Sequence, residues 1–121
     1  MTEFSLPNVS VASSGGEYFQ VTFKEKKDSE EMEDSEGAYF LIQRQFESPD
    51  GGRVYVESHE QKLCGHFRIK KAELHREVFR LELVSRPASM VQIRFQADEK
   101  QYRRLKRVLQ IICSTGVLHI G

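Results

Sequence analysis

The sequence lacks tryptophan, has only two cysteines among its 121 residues and contains no long apolar run. Without tryptophan, eight phenylalanines and four tyrosines have to supply most of the large side-chain volume of a core. Two cysteines in a chain that can form its own core are typical of free thiols, so we expect no disulfide between Cys64 and Cys113. No segment approaches the roughly 18 apolar residues of a membrane helix, and the first residues lack a signal-peptide pattern. We therefore expect a cytoplasmic protein without a membrane partner.

Motifs of catalysis are also missing. The sequence has no glycine-rich phosphate loop, nucleophile elbow or zinc-binding helix pair. The nearest constellation consists of His59, Glu60, Cys64 and His66. Cys64 and His66 are two residues apart and share a strand face, so they could hold a soft metal together with His59 or form a Cys–His pair. The spacing matches zinc sites only loosely, and no third orienting group is identifiable. We expect a non-enzymatic protein without a cofactor.

Alternating apolar residues predict strands over most of the chain, which at 121 residues has the common size of one domain spanning residues 1–121. The turn cluster from Ser13 to Gly16 predicts that the first two strands form a hairpin. The third is apolar on both faces, which predicts a central, most buried strand covered on each side. Gly65 predicts a bulge or a close backbone approach in the fifth. The predicted strands cover residues 9–11, 18–23, 39–46, 53–57, 63–69, 78–84 and 91–95.

The period changes near the C-terminus. Asp98 and Gln101 have the spacing of a capping box, which predicts the start of a helix. An apolar stripe through Leu105 and Ile112 follows at helical intervals, Gly116 is placed as the C-terminal cap, and 117–120 predicts a short last strand. The element order predicts an α+β fold: an antiparallel sheet of six or seven strands with one C-terminal amphipathic helix packed on it.

Charge divides the chain into an acidic and a basic half. Residues 1–60 contain 5 Lys and Arg against 13 Asp and Glu, and residues 61–121 contain 13 against 5. Six acids concentrate at positions 28–36 of the segment 24–37. This segment has too few apolar residues to order itself, which predicts a mobile loop between two strands. Such a loop is either a solvated connection or an electrostatic attraction for a basic partner. Its acids are Asp28, Glu30, Glu31, Glu33, Asp34 and Glu36.

Basic residues line one face of the predicted helix, at Lys100, Arg103, Arg104 and Arg107. Such a face binds phosphates or is simply solvated. Nucleic acid is not favoured as a partner because the chain is neutral overall. A membrane is not favoured either, since the apolar stripe of the helix is needed to cover the sheet.

The segments 37–44, 54–57, 64–67 and 81–83 resemble, in content and order, the immunity protein 10 family of bacterial polymorphic-toxin systems. The resemblance begins near Phe19 and extends through the terminal helix. Its most specific parts are the Tyr-x-Leu-x-Gln-Arg element at 39–44 and the Tyr-Val-Glu element at 55–57. The family has a pair of glycines where this chain has Gly65 and His66.

The resemblance implies a protein that binds a cognate toxin domain and occludes its active site. A nuclease toxin with a basic cleft fits the acidic loop, with Glu47 and Asp50 on the next loop as further partner-binding residues. The alternative is a binding module with the element order of pleckstrin-homology-like domains, which recognises nucleic acid or phosphate groups through the basic helix face together with Arg80 and Arg94. The exposed edge of the predicted sheet also allows a homodimer.

Overall fold

The computed structural model describes residues 2–26, 37–46, 52–85, 89–113 and 117–121. These residues form nine strands and one α-helix, with a short 3-10 helix at Gln61–Leu63. The elements are β1 (Thr2–Ser5), β2 (Asn8–Ser14), β3 (Tyr18–Lys24), β4 (Tyr39–Gln45), β5 (Arg53–Ser58), β6 (Gly65–Leu74), β7 (Val78–Val84), β8 (Ser89–Arg94), α1 (Glu99–Cys113) and β9 (Leu118–Ile120).

All nine strands belong to one mixed sheet. Eight follow the order β1-β8-β7-β6-β5-β4-β3-β2, and β9 pairs with β6 outside this path. The pairs β1–β8 and β6–β9 are parallel, and the remaining pairs are antiparallel. The predicted α+β fold with a terminal helix is therefore confirmed in outline. The predicted strand number and purely antiparallel arrangement are wrong.

The sheet is rolled until its two edges approach each other. Only Leu6 and Pro7 separate β1 from β2, although these strands occupy opposite ends of the strand order. That connection spans at most about 11 Å, whereas eight strands laid flat would extend over roughly 34 Å. Ring contacts across the roll agree, because the centroids of Phe23 on β3 and Phe79 on β7 are 5.9 Å apart.

The inner face of the roll forms the core, and α1 covers it at the β2–β4 end. The hairpin β2–β3 and the inward side chains of β5, β7 and β8 agree with the sequence prediction. The helix buries Leu105, Val108, Leu109, Ile112 and Cys113. At its C-terminus, Arg44 Nη1 donates to the Ile112 carbonyl at 3.2 Å, which satisfies one of the orphan carbonyls of the last turn.

The predicted capping box is confirmed at the helix N-terminus. The Gln101 backbone N–H donates to Asp98 Oδ1 at 2.7 Å, and the Gln101 side-chain oxygen accepts from the Asp98 N–H at 3.0 Å. Gly116, the predicted C-terminal cap, lies outside the described residues.

Three local predictions need correction. Strand β1 was not predicted because Phe4 is the one large apolar residue in its four positions. Strand β4 is fully covered on one face only, since Phe40 and Ile42 are buried while the outward Leu41 is half-buried, and β3 is more buried. The bulge of β6 lies between Ile69 and Lys71, not at Gly65.

Candidate functional site

The outer face of β4 and β5 brings together four side chains, namely Leu41, Gln43, Tyr55 and Glu57. In the antiparallel register Leu41 is opposite Glu57, and Gln43 is opposite Tyr55. These positions alternate with the buried Ile42 and Val56, so their side chains point away from the core. The sequence elements at 39–44 and 55–57 thus meet on one surface.

Two tyrosines hold the carboxylate of Glu57. The Tyr39 hydroxyl donates to Glu57 Oε2 at 2.9 Å, and the Tyr55 hydroxyl donates to Oε1 at 2.8 Å. Burial, followed by the hydrogen bond to Glu57 and its negative charge, raises the pKa of Tyr39 to about 12. The hydrogen bond to Glu57 is the main cause that raises the pKa of Tyr55 above its usual value. Both phenols are therefore donors at neutral pH, and the carboxylate is fixed in place. We call Tyr39, Tyr55 and Glu57 the tyrosine–glutamate cluster.

Two histidines border this cluster. The His66 ring centroid is 5.2 Å from that of Tyr55. The His59 Nδ1 atom lies 3.2 Å from the Tyr39 backbone nitrogen. Aromatic rings of this kind provide a rigid, amphipathic surface with few rotamers to lose on binding.

A groove of about 540 Å³ opens beside the cluster and crosses β2, β3, β4 and β5. Thr22 faces this groove but is only 7% exposed, because neighbouring side chains stand around it. Gln20 Nε2 donates to the Thr22 hydroxyl at 3.1 Å, and the Tyr18 hydroxyl bonds to the Gln20 side-chain oxygen. Leu41 provides an apolar part of the wall. The groove has the size of a side-chain or peptide site.

The described residues on either side of positions 27–36, Lys26 and Gly37, line this groove. The backbone N–H of Glu25 donates to the Ala38 carbonyl at 2.9 Å, which closes the base of the β3–β4 connection. Lys24, placed in the predicted loop, belongs to β3. All eight predicted partner-binding residues lie outside the described residues, namely Asp28, Glu30, Glu31, Glu33, Asp34, Glu36, Glu47 and Asp50.

The cysteines have different surroundings, and both carry free thiols. Cys64 is exposed, and its Sγ donates to the backbone carbonyl of Ser58 at 3.3 Å. Cys113 is buried, and this burial raises the pKa of its thiol to about 12. Among the described residues, no group of three or more His, Cys, Asp or Glu side chains is arranged to hold a metal ion.

The basic side chains considered for phosphate binding are only partly available. Arg103, Arg104 and Arg107 are exposed on the helix, as predicted. Arg80 instead donates to the Gln92 side-chain oxygen at 2.7 Å and lies 3.5 Å from a carboxylate oxygen of Glu73. In the described part of the chain, no helix has the length and apolar character needed to cross a membrane.

Comparison of the chain with protein-family models, curated proteins and solved structures finds no match. None of these comparisons bears on the candidate site, which is defined by its geometry. The partner-binding prediction was confined to the acidic loops and did not include the tyrosine–glutamate cluster. The sequence contained a sign of the cluster. Tyr39, Tyr55 and Glu57 occupy the outward positions of two strands with alternating patterns, where a core does not need large aromatic residues.

Proposed function

We propose that this protein is a cytoplasmic bacterial immunity protein, which binds a cognate toxin domain through the outer face of β3, β4 and β5 and occludes its active site. The observation that carries the proposal is the tyrosine–glutamate cluster beside an open groove. Tyrosine is enriched at the energetic centres of protein interfaces because it buries a large rigid area and still donates a hydrogen bond.

The resemblance to the immunity protein 10 family supports the same surface. Tyr39, Leu41 and Gln43 come from the first of its two most specific elements, and Tyr55 and Glu57 come from the second. The three residues of the cluster therefore all belong to the elements that carry the resemblance. They occupy outward positions, which the core of the fold does not require.

The acidic segment adds a second role in this proposal. Its ends reach the rim of the groove, so its carboxylates attract a basic cleft toward the outer face. Charge of this kind raises the association rate more than the final affinity, and salt weakens the effect. A nuclease cleft, which is positive because it binds phosphates, is the type of target that fits.

The proposed function requires a toxin gene beside the gene of this protein, and the direct test uses the effector domain of that toxin. Titration calorimetry should show a one-to-one complex, and the toxin activity should fall to zero at equivalence. A second measurement replaces the six loop acids with their amides and follows association at low salt. The on-rate should fall at least tenfold, while the off-rate stays within about twofold. An effector domain that neither binds nor loses activity would rule out the function, and an unchanged on-rate would exclude the loop.

A further inference from the structure

A basic pair lies at the other end of the same outer face. Arg53 on β5 and Arg68 on β6 are directly opposite each other in the antiparallel ladder. Both are exposed, and they point outward because the adjacent Val54 and Phe67 pack toward the core. Directly opposite residues have Cβ atoms about 5 Å apart, so two positive side chains share one small area.

Among the described residues, the pair has no compensating charge. Neither the Arg53 side chain nor the Arg68 side chain makes a hydrogen bond or an ion pair with another described residue. Neighbouring cations on the same sheet do, since Lys70 lies 3.6 Å from Glu82 and Lys71 lies 3.4 Å from Glu73. Like charges directly opposite each other destabilise a sheet. An uncompensated pair among compensated neighbours is the arrangement expected where an anion from outside the chain binds.

We propose that Arg53 and Arg68 together bind a carboxylate side chain of the protein partner, an inference that rests on the proposed function. Guanidinium groups are planar and match the two oxygens of a carboxylate. Along β5 the outward positions are Arg53, Tyr55 and Glu57, so this strand is basic at one end, aromatic in the middle and acidic at the other. A partner with the opposite order of charges binds in one orientation only.

A protein carboxylate fits this surface better than a phosphate chain. Glu57 is four residues from Arg53 along the strand, which is about 13 Å. A polyanion laid along the face would reach Glu57 within two phosphates and be repelled there. A single carboxylate meets the arginine pair without approaching Glu57.

The test is an NMR titration of the full-length protein at low salt with an acetylated and amidated Gly-Gly-Glu-Gly-Gly peptide, whose one carboxylate is the glutamate side chain. The Nε–Hε signals of Arg53 and Arg68 should shift and saturate, and Arg68→Glu should weaken binding at least about tenfold. This substitution puts a carboxylate opposite Arg53 and converts a repulsive pair into an attractive one, so its melting temperature should equal or exceed that of the wild type. Arg94→Glu, at an exposed position of β8, is the matched control and should bind as the wild type does.

Three outcomes would overturn the carboxylate site. They are shifts that do not saturate, shifts of equal size at Arg103 and Arg104 of the helix, and stronger binding of a ten-residue thymidine oligonucleotide than of the peptide. The peptide titration needs no toxin, so it remains decisive even if the effector domain fails to bind. Conversely, an effector domain that binds wild type and Arg68→Glu equally would remove this site and leave the proposed function intact.

Discussion

Glu57 occupies an outward strand position, where a glutamate side chain ordinarily samples many rotamers in water. Here each of its carboxylate oxygens accepts a hydrogen bond from a tyrosine hydroxyl, at 2.9 and 2.8 Å. Hydrogen bonds to a charged acceptor are stronger than neutral ones, and two of them fix the carboxylate plane. The cluster is thereby ordered within the free chain, and such ordering reduces the entropy that a contact surface loses on binding.

Replacing Glu57 with glutamine should lower the pKa of Tyr39 and Tyr55. The pKa of Tyr39 should stay partly raised because burial is the largest cause of its shift, and the pKa of Tyr55 should move toward its ordinary value because its largest cause is the hydrogen bond to Glu57. The Tyr39 pKa of about 12 exceeds the ordinary 10.0, so its contribution to folding is complete below pH 10 and is lost as the pH rises toward 12. Tyrosine ¹³Cζ shifts followed from pH 8 to 13 measure this change. Identical titration curves in Glu57→Gln and wild type would contradict the description of the cluster.

At the scale of elements, β6 contains one extra residue compared with its partner β7. Phe67 and Ile69 pack against the core, Lys70 and Lys71 are both exposed, and Ala72 and Leu74 are buried again. Two consecutive outward side chains indicate a bulge. The extra residue is accommodated on the outer face, so the residues after it point inward and outward in the same order as before. The sequence shows only two lysines in a row at this point, whereas Gly65 shows the more usual sign of a bulge. The bulge was therefore predicted at the wrong residue.

Deleting Lys70 should be tolerated, because it removes the bulge without moving any side chain to the other face. Without Lys70, the inward Ile69, Ala72 and Leu74 alternate regularly with the outward Lys71 and Glu73, and the pairs Ile69–Leu83 and Lys71–Glu82 become consecutive. We expect the free energy of unfolding to change by less than about 1 kcal/mol. Deleting Glu73 from the regular part of the same strand turns the buried Leu74 outward and should cost at least about 3 kcal/mol. Urea denaturation of both variants checks this, and a Lys70 deletion as damaging as the Glu73 deletion would show that the bulge itself is required.

At the scale of the whole molecule, the roll was not predictable from the sequence. Periodicity identifies strands and their buried faces, and it did so for Val54, Phe79 and Ile93. It does not identify which strands pair over long distances, so the parallel pairs β1–β8 and β6–β9 and the approach of the sheet edges emerge only in three dimensions. For the same reason, the tyrosine–glutamate cluster was not predictable, because its hydrogen bonds depend on the pairing of β4 with β5.

Leu6 is the residue on which closure of the roll most depends. It is 1% exposed and lies in the two-residue connection between opposite edges of the sheet. Leu6→Ala should lower the free energy of unfolding by about 2 to 5 kcal/mol. The neighbouring exposed Ser5→Ala should change it by less than about 0.5 kcal/mol. If thermal or urea denaturation showed both variants to be equally stable, the connection would not hold the sheet edges together.

The central claim is that the outer face of β3 to β5 is the docking surface for a toxin domain. It is tested most directly by the affinity of that domain for Leu41→Arg, which puts a long charged side chain in the groove wall, compared with Met90→Arg. Met90 is an apolar, 40% exposed residue on β8, four strands away in the sheet order, and provides the matched control. With both melting temperatures near that of the wild type, Leu41→Arg should weaken binding at least about 100-fold and Met90→Arg less than about twofold. A Leu41→Arg variant that binds and inhibits the toxin like the wild type would contradict the claim.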